Sequence, residues 1–378
     1  MPFPKKVSIC KHQFQKYRLV PKFEFANPCF YQATKLEGMP LKTLANTPLS
    51  MLDLVAVREG GTVAQAIANA VDAARHAEAL GFSRYWLAEH HNMPGLACSS
   101  TAVLVGHVAA ATLRIRVGSG GVMLPNHAPL VIAEAFGTLA EIYPGRIDLG
   151  LGRAPGTDPL TMRALRRNRV ESEEDFPRDV AELTQLLEPV AAGQRLIATP
   201  GAGTRVPIWL LGSSLYSAQL AAQRGLPYAF ASHFAPRLLM QAIDIYRATF
   251  RPSATLAKPH VMACIPLVAA STDQEAQWLA SSIYQRVLGI VTGVRRALQP
   301  PIENFLARCQ PQEVAAIRDF LAMAVIGGPE TVRQQLEDTI ARTEVDELML
   351  VCDIFDPVLR LRALDIAVAA KTESLEIA

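Results

Sequence analysis

Glu89, His90 and His91 form the stretch of the sequence best suited to acid–base chemistry. An unperturbed imidazole titrates near neutral pH, so a histidine at the end of a strand can give or take a proton. A glutamate beside two histidines is also a possible zinc site. Neighbouring histidines, however, leave opposite sides of an extended chain, whereas other spacings would let them converge. The sequence therefore favours a catalytic or ligand-binding histidine over structural hydrogen bonding, and both over a metal site.

A second group of residues could bind an anion. Three serines lie at the predicted start of a helix: Ser213, Ser214 and Ser217. Hydroxyls and free N–H groups at a helix N-terminus favour a phosphate or a carboxylate. Arg153 adds a fixed cation that suits a phosphorylated or planar ligand. Serine is also an ordinary N-cap residue, and Arg153 could pair with Asp158, so these residue types alone leave structural roles open.

Two glycine-rich stretches invite different interpretations. Gly118-Ser-Gly-Gly121 ends a predicted strand, and glycine there would let a ligand approach the backbone closely. A simple turn at the strand end is an equal alternative. Gly327-Gly-Pro-Glu330 could form an anion-binding loop, but proline at the first position of a helix accounts for it. We interpret this second stretch as structural.

These residues follow apolar runs that alternate with amphipathic helical stretches. From Pro48 onward the pattern predicts eight strands, at 51–57, 85–88, 115–121, 147–152, 207–211, 228–232, 261–269 and 348–352. Helices are predicted between them, and the first begins at the capping-box sequence Thr62-Val-Ala-Gln65 and ends at Gly81. Strands alternating with helices predict a parallel sheet, either doubly wound or closed into a barrel.

The polar residues follow strands two to six, which is typical of a (β/α)8 TIM barrel, whose strand ends surround one active site. A doubly wound dinucleotide fold would need G-x-G-x-x-G after the first strand, and Arg58-Glu-Gly-Gly61 does not supply it. We therefore predict an α/β protein with a single barrel domain over residues 46–378. Insertions at 153–176 and 289–327 should lie at the C-terminal rim of the barrel.

Composition narrows the classes of function. The 378 residues are 50% hydrophobic and carry a net charge of +2, which indicates a large core and no nucleic-acid-binding surface. No apolar run is long enough to span a membrane. The six cysteines are widely spaced without a C-x-x-C pair, as is typical of reduced thiols. We expect a cytoplasmic protein with neither a nucleic acid nor a membrane as its partner.

Residues 1–45 differ from the rest of the chain. They hold eight Lys or Arg and two Glu, a net charge of +6, so the remaining residues sum to −4. This segment shows no steady period and lacks the apolar region of a signal peptide. We expect a poorly ordered basic leader, or residues upstream of a true start at Met39. A functional arm is the less favoured alternative.

Four segments together resemble the bacterial-luciferase-like flavin-dependent monooxygenases. They are Trp86-Leu-Ala-Glu-His-His-Asn-Met93, Val117-Gly-Ser-Gly-Gly-Val-Met-Leu-Pro125, Tyr143-Pro-Gly-Arg-Ile-Asp-Leu-Gly-Leu-Gly-Arg-Ala-Pro-Gly-Thr-Asp158 and Pro207-Ile-Trp-Leu-Leu-Gly-Ser-Ser214. The resemblance extends from about residue 48 to about residue 370 and is greatest to the subgroup with the signature GLGRAPGTD. It implies a luciferase-like (β/α)8 barrel.

The resemblance also implies roles for individual residues. His90 matches the catalytic histidine, and Ala88 lies among the cofactor contacts. Gly120 and Gly121 match a non-prolyl cis peptide beneath the flavin ring. Arg153 matches the arginine that binds the cofactor phosphate. Three more phosphate contacts fall on the serines Ser213, Ser214 and Ser217.

One position departs from the luciferases. They have a reactive cysteine just before the phosphate-binding arginine, and this sequence has Gly152 there. The resemblance therefore does not imply light emission from a long-chain aldehyde.

The leading hypothesis is a two-component monooxygenase. A separate NAD(P)H:flavin reductase would supply reduced FMN, which reacts with O2 in the barrel mouth and oxygenates a small organic substrate. One alternative is an oxidoreductase that uses the deazaflavin F420, although its acidic tail suits a basic groove and the folded part sums to −4. The other is a non-catalytic flavin-binding partner subunit. A homodimer is implied by the resemblance and by the apolar helix at 100–112.

Overall fold

Eight parallel strands close into a barrel in the computed structural model, which describes residues 42–154, 158–165 and 175–377. The barrel strands are β1 (Leu49–Asp53), β2 (Arg84–Leu87), β3 (Arg116–Met123), β4 (Ile147–Gly152), β5 (Ile208–Gly212), β6 (Tyr228–Phe230), β7 (Val261–Ala269) and β9 (Glu347–Val351). Strands β1 to β7 pair in sequence, and β9 pairs with both β7 and β1 to close the ring. The predicted (β/α)8 barrel is confirmed. Nearly all of the predicted basic leader lies outside the described residues.

Helices lie between the strands of this barrel. They are α1 (Val63–Ala79), α2 (Thr101–Ala110), α3 (Pro129–Ile142), α4 (Pro159–Leu165), α5 (Asp175–Leu187), α6 (Leu215–Arg224), α7 (Leu239–Thr249), α8 (Asp273–Thr292), α9 (Pro311–Phe320), α10 (Pro329–Thr343) and α11 (Pro357–Ile377). The capping box of α1 is present as predicted, with Thr62 and Gln65 bonded reciprocally. No helix within the described ranges is both long and apolar enough to cross a membrane.

The structure contains one strand that the sequence pattern missed. The three-residue strand β8 (Val325–Gly327) pairs with the last residues of β7, outside the closed ring. It lies inside the predicted insertion at 289–327, and three residues are too few to show a strand period. The same insertion packs on the C-terminal rim, since the Leu298 amide donates to Val57 O at 2.8 Å.

Buried charged side chains fill the N-terminal end of the barrel, opposite the rim on which the insertion packs. The Asp148 carboxylate accepts hydrogen bonds from Arg84 Nη1 at 2.7 Å and from Trp86 Nε1 at 3.1 Å. Arg84 also donates to Glu347 at 3.0 Å and lies over the Trp209 ring. These groups come from the first residues of the strands or from positions close to them, at the N-terminal end of the barrel. An opening for a ligand must therefore lie at the C-terminal end.

Candidate functional site

His90 lies where β2 opens into the mouth of the barrel. The backbone leading to it is fixed, because Ala88 N donates to Asp53 O at 3.0 Å and Thr101 Oγ1 donates to Ala88 O at 3.0 Å. Ser99 Oγ then donates to His90 O at 2.9 Å. Ala88 is buried, whereas His90 is half-buried. The predicted catalytic histidine thus has a fixed backbone and a side chain that solvent and ligands can reach.

The His91 imidazole contacts the buried carboxylate of Glu89. Glu89 is 2% exposed, and its Oε1 lies 3.0 Å from His91 Nε2 and 2.8 Å from His127 Nε2. Burial opposes the charge of Glu89, but the hydrogen bonds and positive potential of His127 and His91 outweigh it. The pKa of Glu89 is therefore below its ordinary value.

This cluster revises the sequence argument about metals. The group that could hold a metal includes His91 and not His90, and His127, which follows β3, supplies its second imidazole. The ligand atoms of Glu89, His91 and His127 lie within 4.8 Å of one another, so the group could hold a metal ion. No spacing in the sequence points to His127, because it is the parallel pairing of β2 with β3 that brings the segments after these strands together.

The glycines that end β3 lie in an irregular part of the sheet. The Gly120–Gly121 peptide is cis, as the resemblance implies, and the pairing of β3 with β4 shifts register between Ser119 and Val122. A Cβ on Gly121 would come within 2.6 Å of the Gly150 carbonyl oxygen. Packing between the strands therefore requires glycine at 121, and a ligand contact would be an additional role.

Arg153 and the N-terminus of α6 meet at the rim of the barrel. The Arg153 guanidinium lies 4.5 Å from the centre of the Tyr216 ring, in the first turn of α6. The alternative pairing with Asp158 is wrong: that carboxylate accepts from Asn92 Nδ2 at 3.0 Å and from Thr161. Arg153 itself is exposed, so its charge is available to a ligand at this end of α6.

The three serines of this helix start are not equivalent. Ser214 begins α6 without a capping hydrogen bond from its side chain, so the alternative of plain side-chain capping is wrong. Ser213 and Ser214 are half-buried. Ser217 is buried, and its hydroxyl donates to Ser214 O at 2.8 Å and lies 3.2 Å from the Tyr228 hydroxyl. Ser213, Ser214 and the helix N–H groups are thus better placed than Ser217 to meet a ligand.

This donor set fits a flavin phosphate. A guanidinium, two hydroxyls and the positive end of a helix dipole provide the charge and the hydrogen-bond donors that a phosphate dianion needs. The missing side chains of Gly120 and Gly121 make room for Leu52 and for the Gly150 backbone, so a ring could contact these glycines only through their backbone.

A histidine that no sequence pattern singled out completes the mouth. His233 follows β6, and its Nδ1 is buried with no hydrogen-bond partner among the described residues. Burial, followed by the positive potential of His90, lowers the pKa of His233 to about 3. The imidazole is therefore neutral at physiological pH.

Comparison with known proteins agrees with this architecture. A family model described as luciferase-like monooxygenase matches residues 47–347. A luciferase-like monooxygenase of Escherichia coli (strain K12) is 48% identical over 334 residues, which cover 88% of this chain and 99% of that protein. The crystal structure of apo-MsnO8 is 35% identical, with a TM-score of 0.77, and the match covers 86% of this chain and 98% of that one.

More distant structures with the same fold bind two kinds of cofactor. The oxygenating constituent of 3,6-diketocamphane monooxygenase from Pseudomonas putida, solved with FMN, has a TM-score of 0.65 at 17% identity and covers 86% of this chain and 97% of its own. An F420-dependent secondary alcohol dehydrogenase has a TM-score of 0.63 at 15% identity and covers 86% of this chain and 99% of its own. At these identities the likeness shows the fold alone.

Proposed function

Because the chain belongs to the luciferase-like monooxygenase family, we propose that it is a two-component, FMN-dependent monooxygenase of the cytoplasm. Its substrate would be a small organic molecule, and a separate NAD(P)H:flavin reductase would supply reduced FMN. The observation that carries the choice of a phosphorylated flavin is the meeting of Arg153 with the N-terminus of α6. A flavin with a phosphate uses such a site, whereas riboflavin would leave it empty.

Each part of the proposed site has a distinct task. Arg153, Ser213, Ser214 and the N–H groups of α6 would bind the phosphate, with Ser217 fixing the helix start from within. The backbone at Gly120–Gly121, and Ala88 at the end of β2, would contact the ring. Reduced flavin, when bound, supplies the electrons that activate O2.

His90 would hold and move a proton in this mouth. It comes from a fixed backbone and lies close enough to His233 to lower the pKa of that residue. A positioned imidazole is suited to give a proton to a developing oxygen anion or to remove one from a substrate. The protein would also exclude water, for which the insertions at the C-terminal rim are well placed.

The architecture of the described residues supports the proposal of a separate reductase. Within residues 42–154, 158–165 and 175–377 the strands form one barrel with the short strand β8 attached, and no second nucleotide-binding sheet accompanies it. Delivery of reduced flavin from another protein suits this arrangement. The four described cysteines are free thiols, which supports a reducing compartment.

The experiment that tests the proposal starts without oxygen. Reduced FMN is bound to the purified protein, the complex is mixed with aerated buffer, and the flavin spectrum is followed over time. We expect reoxidation to proceed through a long-lived intermediate spectrum, distinct from that of free flavin under the same conditions. Reoxidation at the rate of free flavin would contradict the proposal. Reduced F420 is tested in parallel, and tighter binding of F420 than of FMN would favour the deazaflavin alternative.

A further inference from the structure

The loop after β6 holds His233 in a defined place. Ser232 Oγ donates to Cys264 O at 2.7 Å, and Ala231 N donates to Gly212 O at 3.0 Å, so neighbouring strands fix the backbone on both sides. The Phe234 ring packs against the imidazole edge to face, with 4.8 Å between ring centres. His233 is thus a positioned side chain at the end of a barrel strand.

His233 and His90 come from opposite sides of the barrel. Three strands separate β2 from β6 in either direction around the ring: β3, β4 and β5 one way, and β1, β9 and β7 the other. The charge of His90 still contributes to the lowered pKa of His233, so its electrostatic influence extends across the ring of strands. A ligand that spans the mouth from the end of β2 to the end of β6 would contact both residues.

The buried Nδ1 of His233 is the observation that points to a ligand. It has no hydrogen-bond partner among the residues that the structure describes. Buried polar atoms in native proteins are nearly always hydrogen-bonded, so Nδ1 needs a partner, and its place after a barrel strand makes a bound ligand the partner to test.

We propose that His233 is a second ligand-contacting residue of this site, and that its Nδ1 forms a hydrogen bond with the polar edge of the flavin ring across the mouth from His90. The inference rests on the proposed function, since it takes the ligand to be a flavin. Ring nitrogens and carbonyl oxygens of a flavin include both donors and acceptors, so either neutral tautomer of His233 can make the contact.

The two histidines then have different tasks. Burial, together with the nearby His90, keeps His233 neutral, because its pKa is about 3. His233 can hold a ring in place without adding charge to the mouth. His90 remains the residue available for proton transfer.

Two substitutions separate hydrogen bonding from packing. The side-chain amide in His233→Asn lies near the position of Nδ1 and can replace its hydrogen bond, whereas His233→Phe fills the space without one. Binding of oxidised FMN is measured by quenching of flavin fluorescence, with circular dichroism to confirm the fold. We expect His233→Phe to weaken FMN binding about tenfold and His233→Asn to bind within about threefold of the unaltered protein.

Riboflavin gives a second readout. Because His233 would act on the ring, His233→Phe should lower riboflavin and FMN affinity by the same factor. The inference is overturned if His233→Phe binds FMN as tightly as the unaltered protein, or if His233→Asn binds as weakly as His233→Phe. Either result leaves the proposed function standing. If the unaltered protein binds neither oxidised nor reduced FMN, the proposed function fails and this inference fails with it.

Discussion

His90 is the residue on which the proposed chemistry depends. Replacement of His90 by Ala should leave FMN binding nearly unchanged, because no phosphate contact is lost. It should lower the yield of oxygenated product per reduced FMN by about 100-fold, the usual contribution of a positioned general acid or base. The measurement is product formed against FMN oxidised, with the first substrate that a screen provides.

The control for this variant is His76→Ala. His76 lies on α1 and pairs with Asp365, away from the barrel mouth. The His76→Ala variant should give the same yield of oxygenated product per reduced FMN as the unaltered protein. Equal product yields from His90→Ala and His76→Ala would remove His90 from the mechanism.

Glu89 supports the site through the two imidazoles bonded to it. Glu89→Gln should lower the free energy of unfolding at pH 7 by about 1.5–3 kcal/mol, since hydrogen bonds to a buried charged group are lost. The folded-state pKa of Glu89 lies below its ordinary value of 4.5, so its stabilisation is complete above that pH. It is lost as the pH falls through the lower folded-state value, and the difference between the two proteins should narrow there.

Urea denaturation over a range of pH measures this effect. Glu188→Gln is a matched control, because Glu188 pairs with Arg205 at the surface and both side chains are largely exposed. Glu188→Gln should lower the free energy of unfolding by less than about 1 kcal/mol at any pH. A Glu89→Gln variant as stable as Glu188→Gln would show that the buried cluster does not stabilise the fold.

The sequence indicated some of these residues and not others, for a physical reason. Glu89 and His90 follow an apolar run directly, so their place at a strand end can be predicted locally. His127 and His233 reach the site from β3 and β6, and nothing near them in the sequence sets them apart. The pairing of β2 with β3 brings His127 to Glu89, and the closed ring places His233 across from β2, and neither arrangement is encoded in the local pattern.

At the scale of elements, Arg153 after β4 and the N-terminus of α6 form the candidate phosphate site. Arg153→Ala should weaken FMN binding about 10- to 100-fold, since a charged hydrogen bond contributes about 1.5–3 kcal/mol. Riboflavin binding should not change, because riboflavin has no phosphate. The measurement is the ratio of FMN to riboflavin affinity from fluorescence quenching.

Arg224→Ala is the matched control for charge. Arg224 lies in the last turn of the same helix, exposed, and donates to Pro177 O. The variant removes one positive charge from α6 without touching its N-terminus. An FMN to riboflavin ratio that falls equally in both variants would indicate a general charge effect and contradict a phosphate site at Arg153.

The strand and helix predictions failed chiefly at their ends. Strand β1 was predicted over 51–57 but spans Leu49–Asp53, and Val55 just after it has a φ of 51°, a backbone that cannot continue a strand. The apolar helix expected at 100–112 is α2, which ends at Ala110. Apolar runs locate the centre of an element well, whereas its end is set by turns whose geometry depends on tertiary contacts.

At the scale of the whole molecule, the charge distribution bears on the cofactor. The folded part, residues 46–378, sums to −4, and its proposed phosphate site presents one arginine with neutral donors. Such a site suits the single phosphate of FMN better than a long acidic tail, which would need several cations along its length.

The outer faces of α2 and α3 carry exposed apolar side chains that a second copy would cover. Val103 on α2 is 68% exposed and Val131 on α3 is 56% exposed, and the two helices are joined where the Tyr143 hydroxyl donates to Gly106 O at 3.2 Å. The homodimer expected from the sequence would bury this face of α2 and α3. Val103→Glu should then weaken dimerisation about 100-fold or more, because two-fold symmetry places the unpaired carboxylate in the interface twice.

Light scattering coupled to size-exclusion chromatography measures the mass of each variant in solution. We expect a dimer for the unaltered protein and a monomer for Val103→Glu at low micromolar concentration. Val63→Glu is the matched control, since Val63 begins α1 and is 54% exposed. The Val63→Glu variant should remain dimeric, because Val63 lies on neither α2 nor α3. A dimer that persists in Val103→Glu and dissociates in Val63→Glu would indicate an interface at α1. A monomeric unaltered protein would contradict the homodimer and leave the apolar face of α2 and α3 available to another partner.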